Sequence, residues 1–501
     1  MEQAYIKILE MDEFAGVREQ IELLVTGIRS AELMAKEHGD VEEWVNTQAT
    51  ELGRRIVQSH LDLRAANEPK HDGITGADGV ERGAIRRVRS RQIETIFGEV
   101  EVSRLGYGHP GKSSLFPLDA QLNLPERKYS HGLQRRIAFE VARGSFDSAV
   151  EAIASTTGGQ VPKLQVEKVA VELTQDFESF YESRGVAAED TGDPLILSCD
   201  GKGIVMRKES LRTATRQAAE REKRKMKTRL SRGEKSNRKR MATVATVYSI
   251  ERNPRTPEMI MGLADEQEKG KKPRARNKRV WASVAREART VINEMFDEAF
   301  RRDPLQSRPW VLLCDGQDQQ LKNIWSCIKE RKAESIKLII DFVHVLEYLW
   351  KAAYCFEAEG SKAAEAWVSK RALLILQGKA GHVAGGLRRS ATLRQLSSEQ
   401  RKSVDTCAAY LLKYSHMMRY DKYLARGFPI ATGVIEGACR HLIKDRLDIT
   451  GARWGLEGAE SILKLRSLHS SGDFEDYWYF HKERARQRLH LPMYASSRLA
   501  A

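Results

Sequence analysis

Two aspartates, Asp200 in LILSCDGKG and Asp315 in VLLCDGQD, each follow a short apolar run and precede a glycine. The apolar runs predict buried strands, so both carboxylates would lie at a sheet rim, where the glycine lets the chain turn and a ligand approach. Two carboxylates on adjacent strands repel each other unless a cation lies between them. Oxygen ligands without Cys or His favour Mg²⁺ or Mn²⁺ over zinc. Two ordinary Asp-Gly turns are the alternative.

In-line phosphoryl displacement with two metal ions requires a third carboxylate. The segment PIATGVIEGACRHLIKDRLDITGARWG predicts a helix that carries Glu436, with Arg440 and Lys444 one and two turns further along the same face. Such a face offers a metal ligand followed by two cations suited to phosphates. The alternative is an ordinary Glu–Arg helical pair. Three nearby carboxylates remain open as rivals: Glu457 and Glu460 for the third ligand, and Asp318 for the second.

Strands and helices alternate around these residues from residue 194 onwards. The predicted strands are PLILSC, MATVATVYSI, EMIMG, WVLLC and SIKLIID. Predicted helices occupy 280–300 and 319–331, and another begins at about Val343. This order predicts a mixed α/β layer fold. Residues 352–430 have an almost wholly helical pattern, longer than a connection requires, and a helix entered at about Val434 would return the chain to the sheet.

The N-terminal third has a different character. Residues 1–65 have helical apolar spacing and carry 13 acidic against 7 basic residues, which favours an oligomerisation or scaffold role over DNA contact. The stretch RQIETIFGEVEVSRLGYG predicts two strands around Gly98. Residues 130–173 predict three helices, with Ser145 capping the second and Leu164 and Val169 on the inner face of the third.

Two short helices, a Gly-containing turn and a third helix match the pattern of a helix-turn-helix. Lys163, Gln165 and Lys168 would then face bases or phosphates of DNA. An ordinary three-helix packing unit gives the same spacing and remains the alternative.

The net charge of +14 is concentrated in two segments. Residues 207–240 carry 15 Lys and Arg against 4 acids, and residues 269–279 add seven basic residues and no acid. The remainder of the chain is therefore mildly acidic. Two basic segments close to the candidate acids indicate contact with a polyanion, and solvated surface loops are the alternative. The basic residues chosen as DNA contacts in the first segment are Arg221, Lys223, Arg224, Lys225 and Lys227.

Asp200 in SCDGKG, Asp315 in LLCDGQ and Glu436 in TGVIEGACRHLIKDRLDITGARW resemble the Asp-Asp-Glu triad of RNase H-like transposases. The last of these segments resembles the Kra type of bacterial insertion-sequence family. DFVHVLEYLW resembles the Asp-or-Cys-x-x-His signature of Mutator-like transposases, which falls here on Asp341 and His344. The resemblance covers about residues 90–480. These relatives carry a helical insertion between the second Asp and the Glu, and 121 residues separate Asp315 from Glu436.

The resemblance implies a DNA transposase with an RNase H-like catalytic core, in which Asp200, Asp315 and Glu436 bind two Mg²⁺ (or Mn²⁺) ions. Such an enzyme binds the terminal inverted repeats of its element and catalyses strand cleavage and strand transfer into target double-stranded DNA. His344 would orient the site or contact DNA, or be a hydrogen-bonded helix histidine. Trp454 would stack on a base or belong to the core. A metal-dependent nuclease without strand transfer and a catalytically silent DNA-binding protein remain alternatives.

The resulting domain organisation has four parts. They are a helical N-terminal segment (1–65), a strand pair with a helix-turn-helix-like region (90–185), the catalytic core (190–480, with a basic insertion at 207–240 and a helical one at about 352–430) and a C-terminal tail (481–501). Six separated cysteines without a CxxC pair argue against disulfides and zinc. The acidic start and the lack of a long apolar run favour a cytoplasmic protein without membrane contact. We expect a homodimer or higher oligomer.

The basic segment 207–240 yields the first testable prediction. We expect it to be mobile without DNA and to become ordered along the phosphate backbone. Replacing Arg221, Lys223, Arg224, Lys225 and Lys227 with Gln should flatten the slope of log affinity against log salt by up to about four units, since each neutralised phosphate adds about −0.9. The loss should be equal for terminal-repeat and unrelated DNA. An unchanged slope in a binding titration would show that the segment is only a solvated surface.

Overall fold

A computed structural model describes residues 12–85, 88–185, 191–221, 226, 238–263, 273–449 and 451–495. The chain divides into two compact units. One unit comprises the residues up to Ser183 together with those from Phe474 onwards, and the other comprises Arg184–Asp473. The C-terminal helix Phe474–Leu489 lies in the first unit, where the hydroxyl of Tyr477 donates to the carbonyl of Leu173 at 2.6 Å. The second unit ends at Asp473, whereas the sequence placed the end of the core at about 480, and residue 481 lies within the helix Phe474–Leu489.

The first unit starts with three helices after a short 3-10 turn (Asp12–Phe14): α1 (Ala15–Ile28), α2 (Ala31–Met34) and α3 (His38–Ala66). The helical prediction is confirmed over the described part of residues 1–65; residues 1–11 lie outside it. Helices α1 and α3 approach closely because position 27 is glycine, where an added Cβ would lie 2.5 Å from the ring of Trp44.

Two small sheets and five further helices lie between α3 and Ser183 in the described part of this unit. The elements are β1 (Gly73–Thr75), β2 (Glu81–Ala84), β3 (Arg89–Thr95), β4 (Gly98–Arg104), β5 (Tyr107–Gly108), α4 (Pro117–Gln121), α5 (His131–Arg143), α6 (Phe146–Thr156), α7 (Lys163–Glu172) and α8 (Phe177–Ser183). The predicted strand pair around Gly98 is confirmed, since β3 and β4 pair antiparallel from Thr95 opposite Gly98.

The three predicted helices between residues 130 and 173 are confirmed as α5, α6 and α7. The Ser145 hydroxyl accepts a hydrogen bond from the Ser148 amide at 3.0 Å, which confirms the predicted cap. Val169 is buried, but Leu164 is 60% exposed, so its placement on the inner face was wrong. Leu164 lies in the first turn of α7, where Val166 rather than Leu164 turns inward.

A five-stranded mixed sheet forms the centre of the second unit. Its strands are β6 (Leu195–Val205), β7 (Lys239–Ser249), β8 (Arg276–Ser283), β9 (Trp310–Cys314) and β10 (Lys337–Ile340), in the spatial order β10-β9-β6-β7-β8. Strand β7 is antiparallel to both neighbours, whereas β6, β9 and β10 are parallel. The predicted mixed α/β fold is confirmed.

Helices flank and extend this sheet. The α-helices that occur along the chain between β6 and β10, and the one that directly follows β10, are α9 (Thr213–Arg221), α10 (Pro257–Ile260), α11 (Ala288–Arg302), α12 (Asp318–Arg331) and α13 (Phe342–Ala353). The predicted helical stretch 352–430 is confirmed as α14 (Lys362–Leu376), α15 (Ala380–Leu393), α16 (Lys402–Lys413), a 3-10 turn (Ser415–Met417) and α17 (Tyr420–Ala425). In the part of the chain that the structure describes, no helix is long and apolar enough to cross a membrane.

Two predicted elements were wrong. EMIMG forms the helical turn α10 instead of a strand, because Pro257 occupies its first turn and the Thr256 hydroxyl caps the Met259 amide at 3.2 Å. Residues 280–283 belong to β8 instead of a helix. Pairing with β7, such as Ala282 opposite Val244, overrides the helical spacing there, and the helix begins only at Ala288.

The basic segment 207–240 is described only in part. Leu211 is buried and the guanidinium of Arg212 pairs with the carboxylate of Glu287, so the start of the segment is anchored to the second unit. Arg221 is exposed at the end of α9. The other four residues chosen as DNA contacts lie outside the described residues, and the expected mobility is untested there: Lys223, Arg224, Lys225 and Lys227.

Candidate active site

The register of the central sheet aligns the candidate carboxylates. Leu195 of β6 lies opposite Trp310 of β9, and this pairing continues to Ser198 opposite Leu313, two residues before Asp200 and Asp315. On the other side of β9, Ile340 of β10 lies opposite Cys314, which places Asp341 level with Asp315. Neighbouring strands are about 4.8 Å apart. Asp200 and Asp315 thus follow the paired stretches of two adjacent strands at the same end, and the close approach of their side chains stays a prediction.

Asp200 does not end a strand, although a strand end was predicted there. Strand β6 continues to Val205 because its antiparallel pairing with β7 extends past the last residue that pairs with β9, which is Ser198. Asp200 lies at the point where β6 loses its β9 neighbour and retains only β7. Asp315, in contrast, directly follows the end of β9 at Cys314, as predicted.

The carboxylate of Asp200 is held by two donors. Its Oδ1 accepts from the Gly201 amide at 2.6 Å, and its Oδ2 accepts from the Cys439 thiol, with Sγ at 3.3 Å. Burial, then the charge of Asp200, raises the pKa of Cys439 above its usual range, so the thiol keeps its proton and remains a donor. Cys199 is buried next to Asp200, and its pKa is raised well above the usual value by burial, with further contributions from Asp315 and Asp200.

Glu436 is exposed on helix α18 (Gly433–Ala438), which contacts β6 and β7. Its charge also contributes to the raised pKa of Cys439, three residues further along the chain. The chain then forms a turn of π-helix, Cys439–Lys444, followed by α19 (Asp445–Leu447) and α20 (Leu456–Ser471). The prediction that one α-helical face continues through Arg440 and Lys444 was wrong, since a π-turn rotates later residues relative to Glu436.

Asp341 is fully buried, and its carboxylate joins the starts of two helices. Its Oδ1 accepts from the Val343 amide at 2.7 Å, at the start of α13. Its Oδ2 accepts from the amide of Thr432 at 3.1 Å and also from the Thr432 hydroxyl. Thr432 directly precedes α18. Asp341 therefore fixes the beginning of the helix that carries Glu436.

His344 lies one turn into α13, with Nδ1 at 3.7 Å from the Asp341 carboxylate. The Asp341 carboxylate beside the ring raises the pKa of His344 to about 9 against the opposing effect of burial, and Asp315 contributes to the rise. A positive charge on this ring would offset part of the negative charge of Asp341 and Asp315. This contact favours the interpretation that His344 orients the site.

The Asp315 turn is clamped by tyrosines of the helical insertion. Tyr410 donates its hydroxyl to the Asp315 carbonyl at 2.8 Å, and Tyr414 donates to the Gly316 carbonyl at 2.6 Å. Gly316 has a φ of +88°, and an added Cβ would lie 3.0 Å from the Tyr414 ring, so any other residue would strain this turn. The Tyr420 hydroxyl donates to the Ile340 carbonyl at 2.8 Å, which attaches the insertion to β10 as well.

Three other carboxylates were open alternatives as metal ligands, and their hydrogen bonds differ. Asp318 accepts from the Tyr414 hydroxyl at 2.9 Å and pairs with Lys413, whose hydrogen bond lowers the pKa of Asp318. Glu460 accepts from the Val284 and Ala285 amides at 2.8 and 3.0 Å, and from the Ser283 hydroxyl. Both therefore have structural roles. Glu457 is exposed in the first turn of α20.

The remaining predicted site residues are placed as follows. Trp454 is buried; its Nε1 donates to the Leu447 carbonyl at 3.1 Å and the Arg446 guanidinium lies 4.7 Å from its ring centre. Its ring therefore packs in the core and is not free to stack on a base. Arg440 and Lys444 are exposed, and Arg440 lies 3.6 Å from Asp445.

The helix-turn-helix residues lie in the first unit, on α7. Lys163 is exposed and its Nζ lies 2.7 Å from Asp147, Lys168 is exposed, and Gln165 is half-buried. Reading of DNA by these residues stays a prediction.

Sequence reasoning missed Thr432, Cys439 and the three tyrosines of the insertion. Thr432 and Cys439 lie within the sequence segment that carries Glu436, and their closeness to Glu436 in the sequence was the only signal that could have identified them.

The donor chemistry of the site fits a hard divalent cation. Asp200, Asp315 and Glu436 supply carboxylate oxygens, whereas burial keeps the thiols of Cys199 and Cys439 protonated. Among the described residues, no three His, Cys, Asp or Glu side chains already form a group that could hold a metal ion. The exposed carboxylate of Glu436 would have to turn towards Asp200 and Asp315 for all three carboxylates to bind the same cations.

No protein-family model matches the chain. A stretch of 126 residues is 25% identical to the "UPF0236 protein in vanSb 3'region" of Streptococcus gallolyticus. That stretch covers 25% of this chain and 27% of the relative. The chain is thus similar over about a quarter of its length to a UPF0236 protein.

The Asp341–Thr432 contact yields the second prediction. Thr432→Val removes a hydroxyl donor from a buried carboxylate, so the free energy of unfolding should fall by about 1–3 kcal/mol. Thr432→Ser keeps the hydroxyl and should cost less. Urea unfolding of the full chain measures both values. Equal stability of the Val variant and the unmodified protein would mean that the contact does not anchor the start of α18.

Proposed function

We propose that this protein is a DNA transposase that binds the terminal inverted repeats of its element and catalyses metal-dependent strand cleavage and strand transfer. The observation that supports the proposal is the parallel pairing of β6 with β9, which leads to Asp200 and Asp315 at the same end of adjacent strands, together with Glu436 on a helix that contacts β6. Three carboxylates on these elements match the triad of the RNase H-like transposases that the sequence resembles. The sheet order, with β7 antiparallel to its neighbours, supports the same assignment.

Asp200, Asp315 and Glu436 would hold two Mg²⁺ or Mn²⁺ ions. When bound, such ions activate an oxygen nucleophile and stabilise the oxygen that leaves phosphorus. The surrounding residues position the acids. The Cys439 thiol and the Gly201 amide hold the Asp200 carboxylate, and Tyr410 holds the Asp315 backbone. Fixing the ligands before the ions bind reduces the reorganisation needed during the reaction.

Exposed cations in the same unit as these acids suit a polyanionic substrate. Arg440 and Lys444 are exposed within three turns of Glu436, and Arg221 is exposed at the end of α9. Such residues would position phosphates without reading the base sequence. We place DNA sequence recognition instead on α7, through Lys163, Gln165 and Lys168.

The third prediction tests the triad. Asp200→Asn, Asp315→Asn and Glu436→Gln should each abolish cleavage of labelled element ends in Mg²⁺, because each removes an anionic ligand. DNA binding in a mobility-shift assay should remain largely intact. The matched control is Glu457→Gln, another exposed carboxylate of the same unit, which should cleave normally. Near-wild-type cleavage by a triad variant would remove that residue from the site, and loss of activity in the control would make Glu457 the preferred third ligand.

The products of the same reactions separate the candidate activities. A transposase gives nicks at the element's ends and joined products with target DNA, because hydrolysis and strand transfer are one displacement with different nucleophiles. Nicks without joined products would indicate a metal-dependent nuclease. Binding without either product would indicate a catalytically silent DNA-binding protein.

A further inference from the structure

Lys202 lies two residues after Asp200 on β6, on the same face of the strand. Side chains alternate between the two faces of a strand, and the unbroken pairing of β6 with β7 over Leu195–Val205 keeps this alternation regular. Residues two apart on a strand are separated by about 7 Å. The flexible four-carbon stem of Lys202 therefore brings an ammonium group into the surroundings of the Asp200 carboxylate.

The turn that follows α18 lies on this face. The Cys439 thiol donates to the Asp200 carboxylate, with Sγ 3.3 Å from Oδ2, and both α18 and the π-turn contact β6. Burial is the main cause of the raised pKa of Cys439, to which the charge of Asp200 adds, and the charge of Lys202 opposes the rise. Lys202 is thus within electrostatic reach of the thiol that holds the Asp200 carboxylate.

The ammonium of Lys202 has no partner in the described part of the chain. Lys202 is half-buried, and among those residues it forms neither an ion pair nor a hydrogen bond. The two oxygens of Asp200 accept from the Gly201 amide and the Cys439 thiol instead. A thiol is a weak donor, whereas an ammonium forms a stronger, charge-assisted hydrogen bond with a carboxylate. Lys202 is therefore not used as the counter-ion of Asp200.

Strand β6 is accessible next to Lys202. It loses its β9 neighbour after Ser198, so only β7 pairs with it at this point. Gly201 is exposed, and an added Cβ there would meet only the Met241 side chain within 4 Å, at 3.3 Å. A residue without a side chain lets a ligand come close to the backbone. A phosphodiester can therefore approach the part of β6 that carries Asp200 and Lys202.

We propose that Lys202 binds a non-bridging oxygen of the phosphate at which the DNA strand is cut. This role rests on the proposed function, because the same reaction supplies the phosphate. Three carboxylates in one site repel a phosphodiester, so the protein needs positive charge of its own there besides the metal ions. An ammonium two residues from Asp200 that pairs with no other described residue meets that need. Lys202 donates a hydrogen bond and transfers no proton, and its charge offsets the negative charge that builds up on the oxygen in the transition state.

The fourth prediction tests this contact by binding rather than by activity. The probe is a labelled element end in which an uncharged methylphosphonate replaces the phosphate at the mapped cleavage position. It is compared with the all-phosphate duplex in Ca²⁺, under conditions that yield no cleavage product. The ratio of the two Kd values should be about tenfold larger for the unmodified chain than for Lys202→Met, as expected of one hydrogen bond between charged groups. Any contact of the metal ions with the phosphate is lost equally in both chains, so the difference isolates Lys202.

Two further variants accompany Lys202→Met. Lys202→Arg keeps the charge and should retain most of the difference between the duplexes. The matched control is Lys337→Met, because Lys337 is an exposed lysine at the start of β10, at the opposite end of the parallel strands, and should behave like the unmodified chain. Affinity for unrelated duplex DNA should stay unchanged in all three variants, which checks that each of them is folded.

Cleavage in Mg²⁺ separates the role of Lys202 from the proposed function. Lys202→Met should cleave the all-phosphate duplex about 100-fold more slowly than the unmodified chain at saturating Mg²⁺. Equal Kd ratios for Lys202→Met and the unmodified chain, or equal cleavage rates, would overturn the role of Lys202 and leave the triad in place. Failure of the unmodified chain to cleave any element end would instead overturn the proposed function, and the role of Lys202 with it.

Discussion

One buried carboxylate holds the candidate site together. Asp341 is completely removed from solvent, yet it accepts hydrogen bonds from the Val343 amide and from the amide and hydroxyl of Thr432. A buried charge left without such partners would cost several kcal/mol. The fold must therefore bring Thr432 to the end of β10, although 91 residues separate it from Asp341. The position of α18, and with it Glu436, follows from this requirement.

The helical insertion between β10 and α18 helps to meet this requirement. Residues 352–430 leave the sheet after α13, and their tyrosines return to it: Tyr410 and Tyr414 bind the Asp315 turn, and Tyr420 binds the Ile340 carbonyl. The stacked rings of Tyr348 and Tyr410 join α13 to the insertion. Buried hydroxyl donors that satisfy strand-end carbonyls fix the geometry of this edge. The insertion thus stabilises the sheet edge to which the carboxylates belong.

The sequence predicted which strands and helices form this site better than it predicted where each of them begins and ends. Strong apolar runs identified β6, β9 and β10, because burial on both faces of a strand leaves a continuous apolar run in the sequence. The sequence pattern placed Asp200 at the end of β6, whereas pairing with β7 extends β6 to Val205. Helical spacing at 280–283 likewise gave way to pairing with β7. The link from Asp341 to Thr432 is a contact between distant residues, and no local pattern carries it.

The candidate acids differ in how many hydrogen-bond donors the fold provides for them, and this difference separates a structural carboxylate from those with room to accept a cation. Asp341 is enclosed and its lone pairs are used by three donors, so it cannot readily exchange a partner for a metal ion. Asp200 is only half-buried and has one amide and one weak thiol donor. Glu436 is exposed. A carboxylate that is to bind a cation must lie on a fixed backbone and keep oxygen lone pairs that no protein donor uses. Asp200 and Glu436 meet that condition, whereas Asp341 does not.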